Sequence, residues 1–130
     1  MYLKKKLFMN NFCKKRTDSF KYAFQGAATL FHETPNAIIH LIMAILAVLL
    51  GFIFSISATE WLAIIIVIGL VLVLEAINTS IESLADLVSK ERNESIKKVK
   101  DLAAAGVLIA SMAALVIGIL IFLPKFIELF

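Results

Sequence analysis

Leu74-Glu75-Ala76-Ile77-Asn78-Thr79-Ser80-Ile81-Glu82-Ser83-Leu84-Ala85-Asp86 decides how the rest of the chain is read. The stretch begins inside an apolar run, yet it carries three carboxylates and an amide. Glu75, Asn78, Glu82 and Asp86 follow one another at spacings of three, four and four residues. At about 100° per residue of helix they fall within roughly 80° of one another and form one stripe. An ionisable group inside a membrane helix costs about 2.5–3.5 kcal/mol on insertion scales, so such a group is read first as functional.

The surroundings of the stripe are those of a membrane protein. The chain has 130 residues, 61% of them hydrophobic, and a mean hydropathy of +0.93. Soluble domains are about 45–50% apolar. The composition predicts one small integral membrane domain covering residues 1–130. So few spans enclose little interior, which already favours an oligomer.

Upstream of the stripe, Trp61–Leu74 is a continuous apolar run of 14 residues. A span needs about 20 residues, so the helix extends to Ser80. Glu75 and Asn78 then occupy the last turns inside the membrane, and Glu82 and Asp86 lie at or beyond its surface. Ala37–Ile56 supplies another span, polar only at His40 and Ser55. Leu102–Leu123 supplies a third, in which Ser111 is the one polar side chain and Pro124 marks the end. Ala103-Ala104-Ala105-Gly106 at its start allows close helix approach. Membrane helices are expected at about 36–57, 60–88 and 100–123. Before them, Phe20, Ala23, Phe24, Ala27, Leu30 and Phe31 repeat at helical spacing. They predict an amphipathic surface helix over about 18–34, capped by Thr17 or Asp18 and ended by Pro35. Residues 1–17 read as a basic tail at the lipid surface.

Charge fixes the expected orientation. Seven of the 13 basic residues lie in Met1–Lys21, five lie in Lys90–Lys100, and none lies between Gln25 and Ser89. By the positive-inside rule the N-terminus and the 89–100 connection are cytoplasmic, and the 57–60 turn and the C-terminus are outside. The pattern is one of topology and not of a nucleic-acid surface. The first long apolar run follows a polar, aromatic-rich stretch, so no cleavable signal is expected. Cys13 stands alone, which excludes an internal disulfide and a cysteine metal site.

The stripe meets Lys97-Lys98-Val99-Lys100-Asp101, which begins the next helix at the same membrane level. Carboxylates and lysine at a wet helix end suit a divalent cation and phosphate. Mg²⁺ is commonly held by one or two carboxylates together with substrate phosphates, and lysine neutralises phosphate charge. A carboxylate at the lipid boundary is a candidate base toward a lipid hydroxyl. The five glycines are dispersed and form no P-loop. The two distant histidines and single cysteine fit no usual zinc pattern, and G-x-S-x-G is absent. A phosphoryl-transfer site rests on the conjunction of these groups. The alternative left open is a non-enzymatic oligomeric membrane protein, such as a small transporter subunit using Glu75 as an ion site.

Glu75-Ala76-Ile77-Asn78-Thr79-Ser80-Ile81-Glu82-Ser83-Leu84-Ala85-Asp86, followed by Lys100-Asp101 and an Ala/Gly-rich helix start, resembles the prokaryotic diacylglycerol kinase family. That family includes the undecaprenol kinases. The resemblance runs without gaps from about Phe20 to Phe126. It takes in Phe20-Lys21-Tyr22-Ala23-Phe24-Gln25-Gly26, Asn36-Ala37-Ile38-Ile39-His40 and Phe122-Leu123-Pro124-Lys125. Asn36 and His40, with the Leu123-Pro124-Lys125 ending, look more like the undecaprenol kinase branch.

The resemblance implies an all-α homotrimer in the bacterial inner (plasma) membrane. Each subunit would have three membrane helices and one surface helix, and neighbouring subunits would share active sites on the cytoplasmic face. It implies transfer of the γ-phosphate of ATP to a lipid hydroxyl, of undecaprenol or diacylglycerol, with Mg²⁺. Glu75 then looks like the catalytic base. Glu82 looks like a metal ligand that also meets ATP. Asn78 and Asp86 look like supporting polar residues, and Lys15, Tyr22, Lys100 and Asp101 like ATP contacts. There are two departures. The family places a second metal glutamate where this chain has Thr34, with Glu33 one residue earlier, and a backbone shift at Pro35 is expected to let Glu33 serve. The family also tends to have Tyr-His after the loop glutamate, where Glu91 is followed by Arg92-Asn93.

Overall fold

In the computed structural model the described residues are 2–88 and 93–129, with side chains described from residue 14 onward. Among them every regular element is helical. The helices are α1 (Tyr2–Glu33), α2 (Pro35–Ile53), α3 (Ala58–Val88) and α4 (Glu94–Ile127). The chain forms two compact units, Met1–Glu33 and Thr34–Phe130.

The first unit is α1, and it corrects the expected start near residue 18. The helix runs from Tyr2, so Thr17 and Asp18 lie in its interior and do not begin it. Residues 2–17 contain neither proline nor glycine and are rich in lysine and other good helix formers, so nothing in the sequence stops the helix there. The Thr17 hydroxyl donates to the Lys14 carbonyl at 2.8 Å, and Ser19 donates to the Lys15 carbonyl at 2.8 Å. Hydroxyls engaged this way sit within a helix and do not begin one. The other end agrees with expectation, since α1 stops at Glu33, two residues before Pro35.

The second unit holds three helices long and apolar enough to cross a membrane, as α2, α3 and α4. This is the architecture of a multi-pass membrane protein. Thr34 is extended (φ −114°, ψ 103°), and Pro35 occupies the first turn of α2, where its missing N–H is no loss. The helix ends at Ile53, earlier than residue 57. Ser55 takes φ 50°, its N–H donates to the Phe52 carbonyl at 3.2 Å, and Ile56 N–H donates to the Gly51 carbonyl at 3.1 Å. These are the two bonds of a Schellman motif, with serine where glycine is usual.

The turn at 57–60 is a capping box. Ser57 N–H donates to Glu60 Oε2 at 2.7 Å, and Glu60 N–H donates to Ser57 Oγ at 3.3 Å. At 1.5 Å per residue α3 is about 46 Å long, against a hydrocarbon core of about 30 Å, so it overshoots the bilayer by several turns.

The third span begins at residue 94 and not at 100. The Asn93 side chain accepts from Ser95 N–H at 2.8 Å and from Ile96 N–H at 3.4 Å, which starts α4 there. Pro124 does not close it. The helix passes through Pro124 to Ile127, with the Glu128 N–H donating to the Pro124 carbonyl at 3.0 Å. A proline lacks the N–H donor and its ring crowds the carbonyl four residues earlier, yet Pro124 sits in the last turn of α4, where few helical bonds remain to be lost.

α3 packs against both α4 and α2. Ile56, Ile64 and Phe122 form a core at one end of the bundle, with Trp61 and Phe54 against it. There Phe54 lies edge-on to Phe126 at 4.7 Å, Trp61 packs on Phe52 at 4.9 Å, and Lys125 pairs with Glu60 at 3.0 Å. Gly51 lies under the indole. A methyl at Gly51 would come within 2.7 Å of Trp61 Cη2, so the helices approach closely there. At Gly106, in the small-residue run that would allow a close approach, a methyl would meet nothing within 4 Å among the described residues. What decides approach is the partner's side chain and the register, and the small-residue run alone does not supply them. The acidic stretch lies toward the other end of α3.

Candidate functional site

The buried seam of α3 runs Ile64, Val67, Val71, Glu75, Asn78 at spacings of three and four residues. It is one stripe that is apolar for three positions and then polar. The positions that pack the bundle at the core end therefore present a carboxyl and an amide nearer the other end. Glu75 is only 1% exposed, and Asn78 is 6% exposed. Glu75 Oε1 and Asn78 Oδ1 are fully buried and have no hydrogen-bond partner among the described residues. Such a group costs about 1–3 kcal/mol in stability, so its presence calls for a compensating use.

One turn further on, Asn78 Nδ2 donates to Glu82 Oε1 at 3.1 Å. The amide fixes the direction of the half-buried Glu82 carboxylate and leaves its own oxygen unpaired. Asp86, the outermost member, is exposed and accepts from Lys100 Nζ on α4 at 2.5 Å. Asp101 is exposed beside Lys100. The structure thus brings together Glu75, Asn78 and Glu82 along one helix, and joins Asp86 to Lys100 across to the next.

Thr34 lies against α3, with its hydroxyl 3.3 Å from that of Thr79. Glu33, Tyr22 and Lys15 are exposed on α1. Residues 89–92 lie outside the described residues, as does the departure at Glu91-Arg92 noted above. The side chain of Cys13 does too.

The oxygen-rich donor set suits a hard cation. Among the described residues no three His, Cys, Asp or Glu side chains gather into a metal cage. Mg²⁺ does not need one, because it is held by one or two carboxylates plus phosphate oxygens and water. Glu82, oriented by Asn78 and partly accessible, fits that role.

Sequence reasoning missed several partners. The Ser57–Glu60 box and the Asn93 cap carry signals that were present, Ser-x-x-Glu and an asparagine before a helical run. The Thr34–Thr79 contact and the unpaired oxygens depend on how helices meet, for which no local signal exists.

Comparison with known proteins gives the stretch a context. The family model described as prokaryotic diacylglycerol kinase matches residues 21–122. An undecaprenol kinase of Bacillus subtilis (strain 168) is 34% identical over 117 residues, covering 90% of this chain and 92% of that protein. A diacylglycerol kinase of Synechocystis sp. (strain ATCC 27184 / PCC 6803 / Kazusa) is 32% identical over 112 residues, covering 85% of this chain and 64% of that longer protein.

Proposed function

This chain belongs to the prokaryotic diacylglycerol kinase family, and from that premise we propose that it is a membrane lipid kinase, a phosphotransferase acting on an alcohol group. It transfers the γ-phosphate of ATP to the hydroxyl of undecaprenol or diacylglycerol at the cytoplasmic face of the bacterial inner membrane. The observation that carries the proposal is Glu75: a buried carboxyl with an unpartnered oxygen, at the point where the α3 seam turns polar.

Phosphoryl transfer asks for positioning and charge neutralisation more than for covalent chemistry. Glu75, deepest in the stripe, accepts the proton of the lipid hydroxyl as that oxygen attacks the γ-phosphorus, and the bond from the γ-phosphorus to the bridging oxygen breaks, releasing ADP. Asn78 holds Glu82 in place through its amide. Glu82 would hold Mg²⁺, which when bound would neutralise phosphate charge. Lys100 is oriented by Asp86 and contacts the phosphates, with Asp101 beside it. Lys15 and Tyr22 contribute to the nucleotide from α1, whose apolar residues Phe20 and Phe24 are exposed for the headgroup region. Glu33 is retained as a second metal carboxylate.

The active unit is a homotrimer with sites shared between subunits. Support comes from the extent of exposed apolar surface on α2–α4 and from a buried carboxyl oxygen that has no partner among the described residues. The N-terminus faces the cytoplasm, in keeping with the basic residues of α1 and of the 89–100 connection.

The test is transfer of labelled γ-phosphate from Mg-ATP to undecaprenol and to diacylglycerol, each in mixed micelles, with and without a chelator. Labelled phospholipid product that disappears with chelator supports the proposal. An inactive wild type on both lipids refutes it and favours an ion site at Glu75.

A further inference from the structure

Between α2 and α4, over α3, runs a groove of about 570 Å³. It is apolar except for two side chains, His40 on α2 and Ser111 on α4. Ser111 Oγ is fully buried and has no hydrogen-bond partner among the described residues. Its behaviour differs from that of other hydroxyls in helix interiors here. Ser19, Thr29, Ser80 and Ser83 each donate to the carbonyl four residues earlier, at 2.8–3.0 Å. That bond is the usual refuge of a serine in an apolar helix. Ser111 forgoes it and lines the groove instead.

The position of Ser111 along the bundle is fixed by the two ion pairs that join α3 to α4, Asp86–Lys100 and Glu60–Lys125. Eleven residues inward from Asp86 is Glu75, and eleven residues inward from Lys100 is Ser111. The two unpaired oxygens therefore stand at one level on neighbouring helices. On α3 the groove is lined as far as Val71 and Leu72, the turn next to Glu75. An apolar channel thus ends where a buried carboxyl and a buried hydroxyl both lack partners. A long hydrocarbon chain bearing one terminal alcohol has that polarity.

Resting on the lipid-kinase assignment, we infer that Ser111 is a substrate-positioning residue. Its hydroxyl hydrogen-bonds the alcohol oxygen of the lipid, while the lipid's first hydrocarbon segment lies in the α2–α4 groove. Ser111 supplies a donor and an acceptor, so the alcohol oxygen can receive the Ser111 hydrogen while giving its own toward Glu75. The bond orients the attacking lone pair and takes no part in the nucleotide site.

Steady-state kinetics in mixed micelles, with lipid and ATP varied separately, test this on wild type, Ser111→Ala, Ser111→Thr and Gly118→Leu. Gly118 lines the groove, and a Cβ there meets nothing within 4 Å, so leucine narrows the groove without a clash at its Cβ. Loss of one neutral hydrogen bond predicts a lipid KM raised about three- to tenfold in Ser111→Ala, with the ATP KM unchanged. Threonine, which keeps the hydroxyl, returns the lipid KM to near the wild-type value. Gly118→Leu raises the lipid KM and leaves the ATP KM alone. An unchanged lipid KM in Ser111→Ala, with wild type active, overturns the inference while the kinase assignment stands. A changed oligomeric mass in Gly118→Leu gives the groove to a second copy of the chain, which also overturns it. An inactive wild type overturns both.

Discussion

Glu75→Leu should make the protein more stable and inactive at once. Glu75 is 1% exposed on the seam that also carries Ile64, Val67 and Val71, and its Oε1 meets no donor among the described residues. A buried polar atom without a partner costs about 1–3 kcal/mol. Leucine is close in volume, introduces no polar atom and extends the apolar seam by one position, and volume-conserving swaps cost less than about 1.5 kcal/mol. The expected net effect is a gain of about 1–2 kcal/mol, the trade found where a site is built at the expense of the fold. In the same variant, loss of a general base predicts transfer reduced about 10²- to 10⁴-fold. Unfolding of detergent-solubilised protein by a graded denaturing detergent, followed by Trp61 fluorescence and helical circular dichroism, reads the stability. Labelled-phosphate transfer reads the activity. Destabilisation by more than about 1 kcal/mol would show that the Glu75 carboxyl is satisfied in the folded protein. The seam would then be structural throughout, and the functional case for Glu75 would fail.

Three other changes are expected to have the following effects. Gly51→Ala places a methyl 2.7 Å from Trp61 Cη2 and 2.9 Å from Cζ2. Overpacking of about 1–3 kcal/mol outweighs a helix-propensity gain of about 1 kcal/mol, so the variant unfolds at lower denaturant, whereas Gly69→Ala, which meets open space, does not. Ser55→Gly relieves a left-handed residue at φ 50° and should add about 0.5–1 kcal/mol in the same unfolding assay. Lys100→Ala removes a pair whose side chains are 33% and 68% exposed, so it should shift stability by less than about 1 kcal/mol. Nucleotide affinity, measured by equilibrium binding of Mg-ATP, should nonetheless fall at least tenfold. Equal binding by wild type and variant would leave Lys100 as a topology determinant alone.

What the sequence made legible was whatever depends on period and transfer energy. Runs of about 20 apolar residues, broken at Pro35 and at the 57–60 turn, locate the spans. The spacings of three and four from Glu75 to Asp86 place four polar groups on one face without knowledge of any neighbour. Helix ends were less legible. They are set by single hydrogen bonds, such as those of Asn93, which moved the start of α4 six residues before Lys100. The start of α1 is misplaced by the sequence because a lysine-rich stretch reads as a basic tail at the lipid surface, although it contains no residue that breaks a helix. Tertiary terms were illegible. Gly51 and Gly106 look alike in a hydropathy plot, and only the register of α2 against Trp61 tells the crowded one from the open one. Ser111 was visible as the one polar side chain of its run, but nothing local says that its hydroxyl stays unpaired.

Glu75→Gln tests the central claim most directly. The amide keeps the shape of the side chain and removes its capacity to take a proton, so a structural role would survive the change and a catalytic one would not. Measured as labelled γ-phosphate transferred from Mg-ATP to the preferred lipid alcohol, the variant should keep its helical content and oligomeric mass and lose at least about a hundredfold in kcat. A Glu75→Gln protein that turns over at the wild-type rate would contradict the account.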